Sequence, residues 1–402
     1  MIRNERGIAL VITLLIVALL TITVIEFTYS VEIDQHMARH ALSGLQASLL
    51  ARSGVNLGEA LLLHDDDPLV DAYTEDWCPQ QDQPLDPDRP SCSFDAANSN
   101  LVVPDNMRLR VQILDESGKL NLNMTRPQNV NQWRSAQNDP NGTHPQFFQA
   151  YQNVLNTLLT ERGVDPQIAD EVANYWDQLY QAQYGGPAAG PTAQAGATPA
   201  PVAQQTPSLL QTPGSEIVIE DFPSLDDASI IPGFTPSTLQ RLRPVLAAAD
   251  SRRQVQVNVN TASREVLNAI VGEADIVDNI VSQRQDTPLQ QRDLGPLLAG
   301  VNRQDPTQRY VPNMLGVRSA FFIIRASAII NPNPITGRGG ISRTASMRVR
   351  RDPRPGVPPN APPGTPRWTL TQLDWQKEGG AALFQQRVDQ TPGVDDTTSD
   401  GF

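Results

Sequence analysis

Hydrophobic and polar positions divide the chain into four kinds of segment. Ile8 to Ile25 is uninterrupted by charge. At about 1.5 Å per residue it predicts a helix roughly 27 Å long, enough to cross the hydrocarbon core of a bilayer. Beyond it the spacing turns amphipathic. Val31, Ile33, Met37, Ala41, Leu45, Leu49, Val55, Leu57 and Leu61 recur at broadly helical intervals, and no proline intervenes before Pro68. One helix is therefore expected from Ile8 to Leu63, roughly 84 Å long. Alternation marks strands at Arg108–Leu114, Ile341–Arg351 and Trp368–Trp375, and richness in branched and aromatic residues marks another at Ser319–Ile330. Ser117-Gly118 reads as a turn, with Leu120-Asn-Leu-Asn123 as the returning strand of a hairpin. Between the early and late strands the period is helical, over Pro145–Thr160, Asp165–Gln181, Ser224–Ile230, Pro236–Ala248, Ser263–Val271, Asp275–Gln285 and Gln290–Leu298. Sheet sequence on both sides of a helical block predicts an α+β fold, in which an all-α domain is inserted into an antiparallel sheet that packs on the long helix.

The remaining sequence fits between these elements. Residues 64–106 are polar and turn-rich, 184–214 form a Pro/Ala/Gln-rich linker without periodicity, and 379–402 read as a disordered tail. Arg3 and Arg6 precede the apolar run and no basic residue follows it closely, which orients the N-terminus toward the cytoplasm. A cleaved signal peptide is the ordinary alternative. However, Glu26-Phe-Thr-Tyr-Ser30 supplies no small-residue cleavage site, and the amphipathic continuation favours a retained anchor.

The leader Met1-Ile-Arg-Asn-Glu-Arg-Gly7, followed by a hydrophobic helix that becomes amphipathic, resembles the class III signal of type IV pilins and type II secretion pseudopilins. The resemblance implies cleavage by prepilin peptidase between Gly7 and Ile8 and N-methylation of Ile8. Most members carry Glu at the fifth mature residue, which here is Ile12. That carboxylate neutralises a neighbouring subunit's amine in a stacked filament, and an unpaired charge there is costly. The K-type minor pseudopilins lack it and are large, as this chain is. Further resemblance lies in Asp115-Glu-Ser-Gly-Lys-Leu-Asn-Leu-Asn123, in a first small helical repeat at Ile231–Pro244, and in a second from Val257-Asn-Val-Asn-Thr-Ala262 through Leu267.

The expected organisation is a leader (1–7), a transmembrane and amphipathic pilin helix (8–63), and the first part of the pseudopilin α/β domain (64–123). An inserted helical domain with two helix-hairpin-helix or SAM-like repeats (124–312), the second part of the sheet (313–378) and the tail (379–402) follow. By resemblance the chain is a minor pseudopilin at the tip of the type II secretion pseudopilus, initiating and capping it for export across the outer membrane. It would be single-pass in the inner membrane of a Gram-negative bacterium, with its bulk in the periplasm. Implied partners are minor pseudopilins I and J, other pseudopilins, prepilin peptidase, the secretin and secreted cargo.

Composition and candidate chemistry modify this picture in a few places. The net charge of −13 disfavours nonspecific nucleic-acid binding. The alternative, a type IV pilus or DNA-uptake subunit, rests on the likeness of the repeats to helix-hairpin-helix modules. From Phe222 to Pro312 nine arginines face ten acidic residues, which leaves no excess positive charge for phosphate. Cys78 and Cys92 are the only cysteines. They are read either as a disulfide, which an oxidising compartment permits, or as two free thiols, and the disulfide is favoured. K-type relatives bind calcium, and the matching stretch is Asn174-Tyr-Trp-Asp-Gln-Leu179. This makes Asp177, with Asp226 and Asp227, the candidate ligand set, although Ca²⁺ wants about six to eight oxygens. No catalytic set is visible: His36, His40, His64 and His144 have no nearby nucleophile motif, so an enzyme is not expected.

Overall fold

The computed structural model describes residues 5–378 apart from 66, 68, 80–85, 87, 89, 97–102, 128, 139–142, 185–219, 306–307, 333–339, 359–361, 363–364 and 366. The leader residues 1–4, the linker and the expected tail therefore lie outside the described residues. So does the side chain of Ile8, although the backbone of Gly7 and Ile8 belongs to the first helix.

A single helix, α1 (Glu5–Leu63), carries the whole apolar and amphipathic stretch. The chain continues through β1 (Cys92–Asp95), β2 (Met107–Asp115) and β3 (Leu120–Asn121) into α2 (Val130–Asn138), α3 (Thr143–Glu161) and α4 (Gln167–Tyr184). A short 3-10 turn at Leu225–Ile230 leads to α5 (Pro236–Leu242), β4 (Leu246–Ala247) and β5 (Val257–Asn258). Next come α6 (Arg264–Val271), α7 (Ala274–Asp286), α8 (Gln291–Leu297), α9 (Val311–Met314) and β6 (Leu315–Gly316). The chain then returns to sheet in β7 (Phe321–Ile330), β8 (Ile341–Pro353) and β9 (Trp368–Glu378).

Five strands form one antiparallel sheet in the order β1-β2-β7-β8-β9. Its inner face and the last third of α1 share one buried core, which includes Ala51, Val55, Leu109, Val111, Ile324, Ala326 and Met347. The helical segments between β2 and β7 bury a second core of their own, around Leu155, Trp176, Leu242, Leu267 and Ile280. Alternation explains the strands: every second residue of β2 from Leu109 onward is buried.

Small residues explain the packing of α1. Gly44, Ala47, Ala51, Gly54, Val55, Gly58 and Leu62 recur at helical spacing and form its buried face. A Cβ at Gly58 would sit 2.5 Å from Ile324 Cγ2, and one at Gly54 would sit 2.7 Å from Ala326 Cβ. Helix and sheet thus approach more closely than any side chain there allows.

This contact also sets direction. Gly44 lies beside Arg343, which pairs with Ala328, while Gly54 faces Ala326 and Gly58 faces Ile324. Moving toward Leu63, α1 therefore passes from the Ile330 end of β7 to its Phe321 end. The helical unit is attached at that same end, through Asp115–Leu120 and Leu315–Phe321. It stands at the end of the head remote from the apolar half of α1.

Three expectations need correction. Ser117-Gly118 does not close a hairpin. The partners of β2 are β1 and β7, and Leu120-Asn121 pairs in parallel with Leu246-Ala247. The reason is that Asn121 and Asn123 spend their side chains on remote backbone groups. The helix expected over Pro236–Ala248 stops at Leu242, because Pro244 cannot extend it, and residues 246–247 become β4. Within the stretch read as turn-rich, Cys92–Asp95 forms an edge strand whose Cys92 and Phe94 point into the core. Helix α2, in which Trp133 is the one buried side chain among the described residues, was not expected.

A polar joint and an exposed stem as the candidate functional site

Two surfaces bear on function: the free length of α1, and the joint that fixes the helical unit to the sheet. The Leu10–Leu63 part of α1 contains a stretch long and apolar enough to cross a membrane, none of it buried within the protein. Leu10 through Ile25 are exposed, and so are Phe27, Val31, Leu42, Leu45 and Leu49 on the side turned away from the sheet. Such a stripe is an interaction surface rather than a solvated face. Ile12 lies on the exposed helix with no carboxylate at its position.

The joint is built from the two sequence motifs that stand out in the chain, and it brings them together. Asn258 N donates to the Ser117 carbonyl at 2.8 Å, and Val259 N donates to the Gly316 carbonyl at 2.9 Å. Asp115, at the end of β2, is buried. Its Oδ2 accepts from Ser319 Oγ and Thr261 Oγ1, each at 2.5 Å, and its Oδ1 accepts from Ser117 N at 2.7 Å. Burial pushes the Asp115 carboxyl above its ordinary range, while these donors pull the other way. Asn258 Nδ2 donates to the Asp71 carbonyl at 2.8 Å and to Ser319 Oγ at 2.7 Å. Arg284 reaches in from α7, and its Nη1 donates to the Val259 and Ala262 carbonyls, each at 2.6 Å.

One device occurs twice. Asn123 Oδ1 accepts from Phe222 N while its Nδ2 donates to the Phe222 carbonyl, so both backbone groups of one distant residue are held. Asn260 does the same to Leu289. Phe222 and Leu289 each stand two residues or one before a capping box, Ser224 with Asp227 and Gln290 with Asp293. Each Asn-containing segment also begins with a parallel bridge, Leu120 to Leu246 and Val257 to Leu315. Within each copy a helix pair turns at a left-handed glycine, Gly163 between α3 and α4 and Gly272 between α6 and α7. The first repeat thus starts at Leu120, well before Ile231. The Leu-Asn-Leu-Asn and Val-Asn-Val-Asn spelling was the signal that could have found it.

A second cluster closes the joint from the α1 side. Arg351 is buried between the Phe322 and Trp368 rings, its guanidinium 4.8 and 4.2 Å from their centroids. It pairs with Asp65 at 2.7 Å and with Asp71. Glu75 is the third carboxylate there; the ligand-type oxygens of Asp65, Asp71 and Glu75 lie within 4.8 Å of one another. With three carboxylates around one guanidinium, burial pushes Glu75 up to about 8, and Ala72 N and Trp77 Nε1 donate to its Oε2. Burial likewise pushes Arg351 down to about 10, so it remains protonated. Nothing in the sequence joins residue 351 to 65–75, so this cluster was not foreseen.

The calcium candidates are not brought together. Asp177 accepts from Trp133 Nε1, Asp226 pairs with Arg243, and Asp227 caps the 3-10 turn at Ser224. Each carboxylate serves a local bond, and among the described residues the three do not form a cluster with ligand spacing. Cys78 and Cys92 are joined, with Cα atoms 5.7 Å apart, tying β1 to the loop after α1.

No protein-family model matches the chain. Type II secretion system protein K of Pseudomonas aeruginosa is 25% identical over 306 residues, covering 72% of this chain and 76% of that protein. That likeness supports a type II secretion pseudopilin of the K family. Among solved structures, a chain of the GspK-GspI-GspJ complex from enterotoxigenic Escherichia coli is 16% identical with a TM-score of 0.47; the match covers 86% of the present chain and 100% of the other. In this chain, as the sequence led us to expect, a long apolar N-terminal helix rests on an antiparallel sheet beside further helices.

Proposed function

We propose that this minor pseudopilin forms the tip of the pseudopilus, starting its assembly and ending its growth. The observation that carries the reading is the position of the helical unit beyond the end of α1 that is remote from its apolar half. Subunits in a helix-bundle filament stack along that axis. A mass of this size above the stem leaves no seat for another subunit, while the exposed stripe of α1 remains free for neighbours below. Ile12 fits the same position, since a subunit with none above it has no neighbouring amine to neutralise. Minor pseudopilins I and J are the partners this reading calls for at the tip, with prepilin peptidase cutting after Gly7 and methylating Ile8 beforehand. The stem would sit in the inner membrane and the head in the periplasm, where the secretin and cargo are met. The protein acts as a structural part, and the work of extension comes from elsewhere.

Immunogold labelling of the head on assembled filaments tests the position: gold is expected at one end only, and gold along the length refutes it. Intact-mass measurement tests the processing: the mature chain is expected to begin at a methylated Ile8, and Gly7→Val is expected to remain full length. A DNA-uptake role is not favoured. The second hairpin turn, at Gly272, is followed by Glu273 and Asp275, carboxylates where phosphate would approach.

A further inference from the structure

The two edges of the sheet are unlike. β1 is four residues long, and the Cys78–Cys92 disulfide ties it to the loop after α1. β9 runs for eleven residues, about 36 Å, and pairs along its length with β8, while its other side meets no strand among the described residues. Thr369, Thr371, Gln372, Leu373 and Asp374 are exposed along it. Such an edge presents a row of backbone donors and acceptors to any extended chain laid against it. The pairing with β8 skips one residue: Arg348 faces Asp374 and Val349 faces Gln372, which makes Leu373 a bulge residue. Leu373 is 42% exposed and lines a groove of about 880 Å³ together with Tyr180, Tyr184 and Phe222 of the helical unit.

We propose that β9 receives an extended segment from the head of a neighbouring pseudopilin, the one packed along the exposed stripe of α1, so that one sheet runs through both subunits. The inference rests on the reading that neighbours pack on that stripe. The helix itself directs the neighbour to this edge. Leu45, Arg52 and Glu59 are spaced by seven residues, close to two turns, and so lie on nearly one line along α1. Leu45 belongs to the exposed stripe. Arg52 lies over the Trp375 ring of β9 at 5.3 Å, and Glu59 Oε1 accepts from Gln372 Nε2 at 3.0 Å. The stripe therefore leads straight onto the flank of α1 that touches β9. The other flank, with Leu50, Leu57 and Leu61, is half-buried against the core. A subunit seated on Leu42, Leu45 and Leu49 brings its own head beside β9, whereas β1 lies across the sheet at the far edge. Backbone hydrogen bonds supply the pairing. Side chains of the added strand on the α1 side meet the half-buried Leu370 and Trp375, and those on the other side meet Leu373 and the groove.

Photocrosslinking in secreting cells tests both layers. A photoreactive phenylalanine analogue replaces Leu45 in one strain and Thr371 in another, and the adducts are identified by mass. Both positions are expected to capture the same pseudopilin. Capture from Leu45 with none from Thr371 overturns the proposal and leaves the stem reading standing. A secreted protein captured at Thr371 also overturns it and gives the edge to cargo. No capture from Leu45 removes the stem reading and the proposal with it. Thr369→Lys with Leu373→Lys puts charge on two exposed edge positions, which leaves the head folded and disfavours strand addition. It is expected to lower the Thr371 yield about fivefold and to leave the Leu45 yield unchanged. Hydrogen exchange separates pairing from mere nearness: in the co-purified complex the β9 amides are expected to exchange about tenfold more slowly than in the full chain alone in detergent. Equal exchange in the two samples overturns the proposal even where the crosslink forms.

Discussion

Glu75 offers the most direct test of the joint. Its carboxyl shares a pocket with Asp65 and Asp71, while Arg351 supplies the one guanidinium that pairs with those two. Burial is the main reason it titrates near 8 rather than at 4.5, and the Asp65 charge adds to the effect. Between those pH values the folded protein holds a proton that the unfolded chain has lost. Stability is therefore full below about pH 4.5 and falls as pH rises toward 8. The whole interval corresponds to ~5 kcal/mol, and solvent screening at a half-buried carboxyl reduces what is measured to ~2 kcal/mol. Glu75→Gln keeps an oxygen to accept from Ala72 N and Trp77 Nε1 and removes the ionisation. Thermal unfolding of the full chain in detergent, followed by Trp fluorescence at pH 5, 7 and 9, reads the difference. The variant is expected to match the parent at pH 5 and to exceed it by about 5 °C at pH 9. Trp77, hydrogen-bonded to Glu75 at 3.0 Å, reports the site itself. Parallel curves for parent and variant across the range would refute the argument.

Other expectations follow from the same geometry. Gly58→Val places a side chain against Ile324 and is expected to cost about 1–3 kcal/mol by overpacking, read as a lowered Tm with α1 exchanging hydrogen faster over residues 51–62. Asn123→Ala and Asn260→Ala each strand the two backbone groups of a buried residue, and each is expected to lose about 1–3 kcal/mol in denaturant unfolding. A near-zero effect of either would deny the repeated clamp. Cys78→Ser with Cys92→Ser is expected to cost ~3 kcal/mol and to expose the β1 amides to exchange while β7 and β8 stay protected. Calcium titration of the full chain is expected to give no saturable heat altered by Asp177→Asn, since that carboxylate is engaged by Trp133.

Local period made the framework readable. The apolar run and its amphipathic continuation became one helix, while the alternating stretches at 108, 341 and 368 and the branched, aromatic stretch at 319 became the long strands. Pairing was harder, because a turn signal at Ser117-Gly118 says nothing about a partner strand 200 residues away. The motif asparagines were visible, but their use was not. An Asn that holds remote backbone looks the same in sequence as one in a hairpin. The Asp65, Asp71, Glu75 and Arg351 cluster was invisible for the same reason, as its members come from the end of α1, the following loop and β8. Short elements such as β1 and α2 were too brief to stand out from the polar sequence around them.

The clamps at Asn123 and Asn260 have a mechanical corollary. Greasy contacts let neighbouring bodies slide and tilt, whereas a hydrogen bond weakens steeply once its angle is lost. A helical unit braced inside by these two-point grips, and bolted to the sheet where Asp115 meets Thr261 and Ser319 and where Asn258 meets Ser117, holds one inclination to its shaft. A thrust applied along α1 would then arrive at the far side undiminished by any swivel, and overload would be expected to tear the grips before it melted either core.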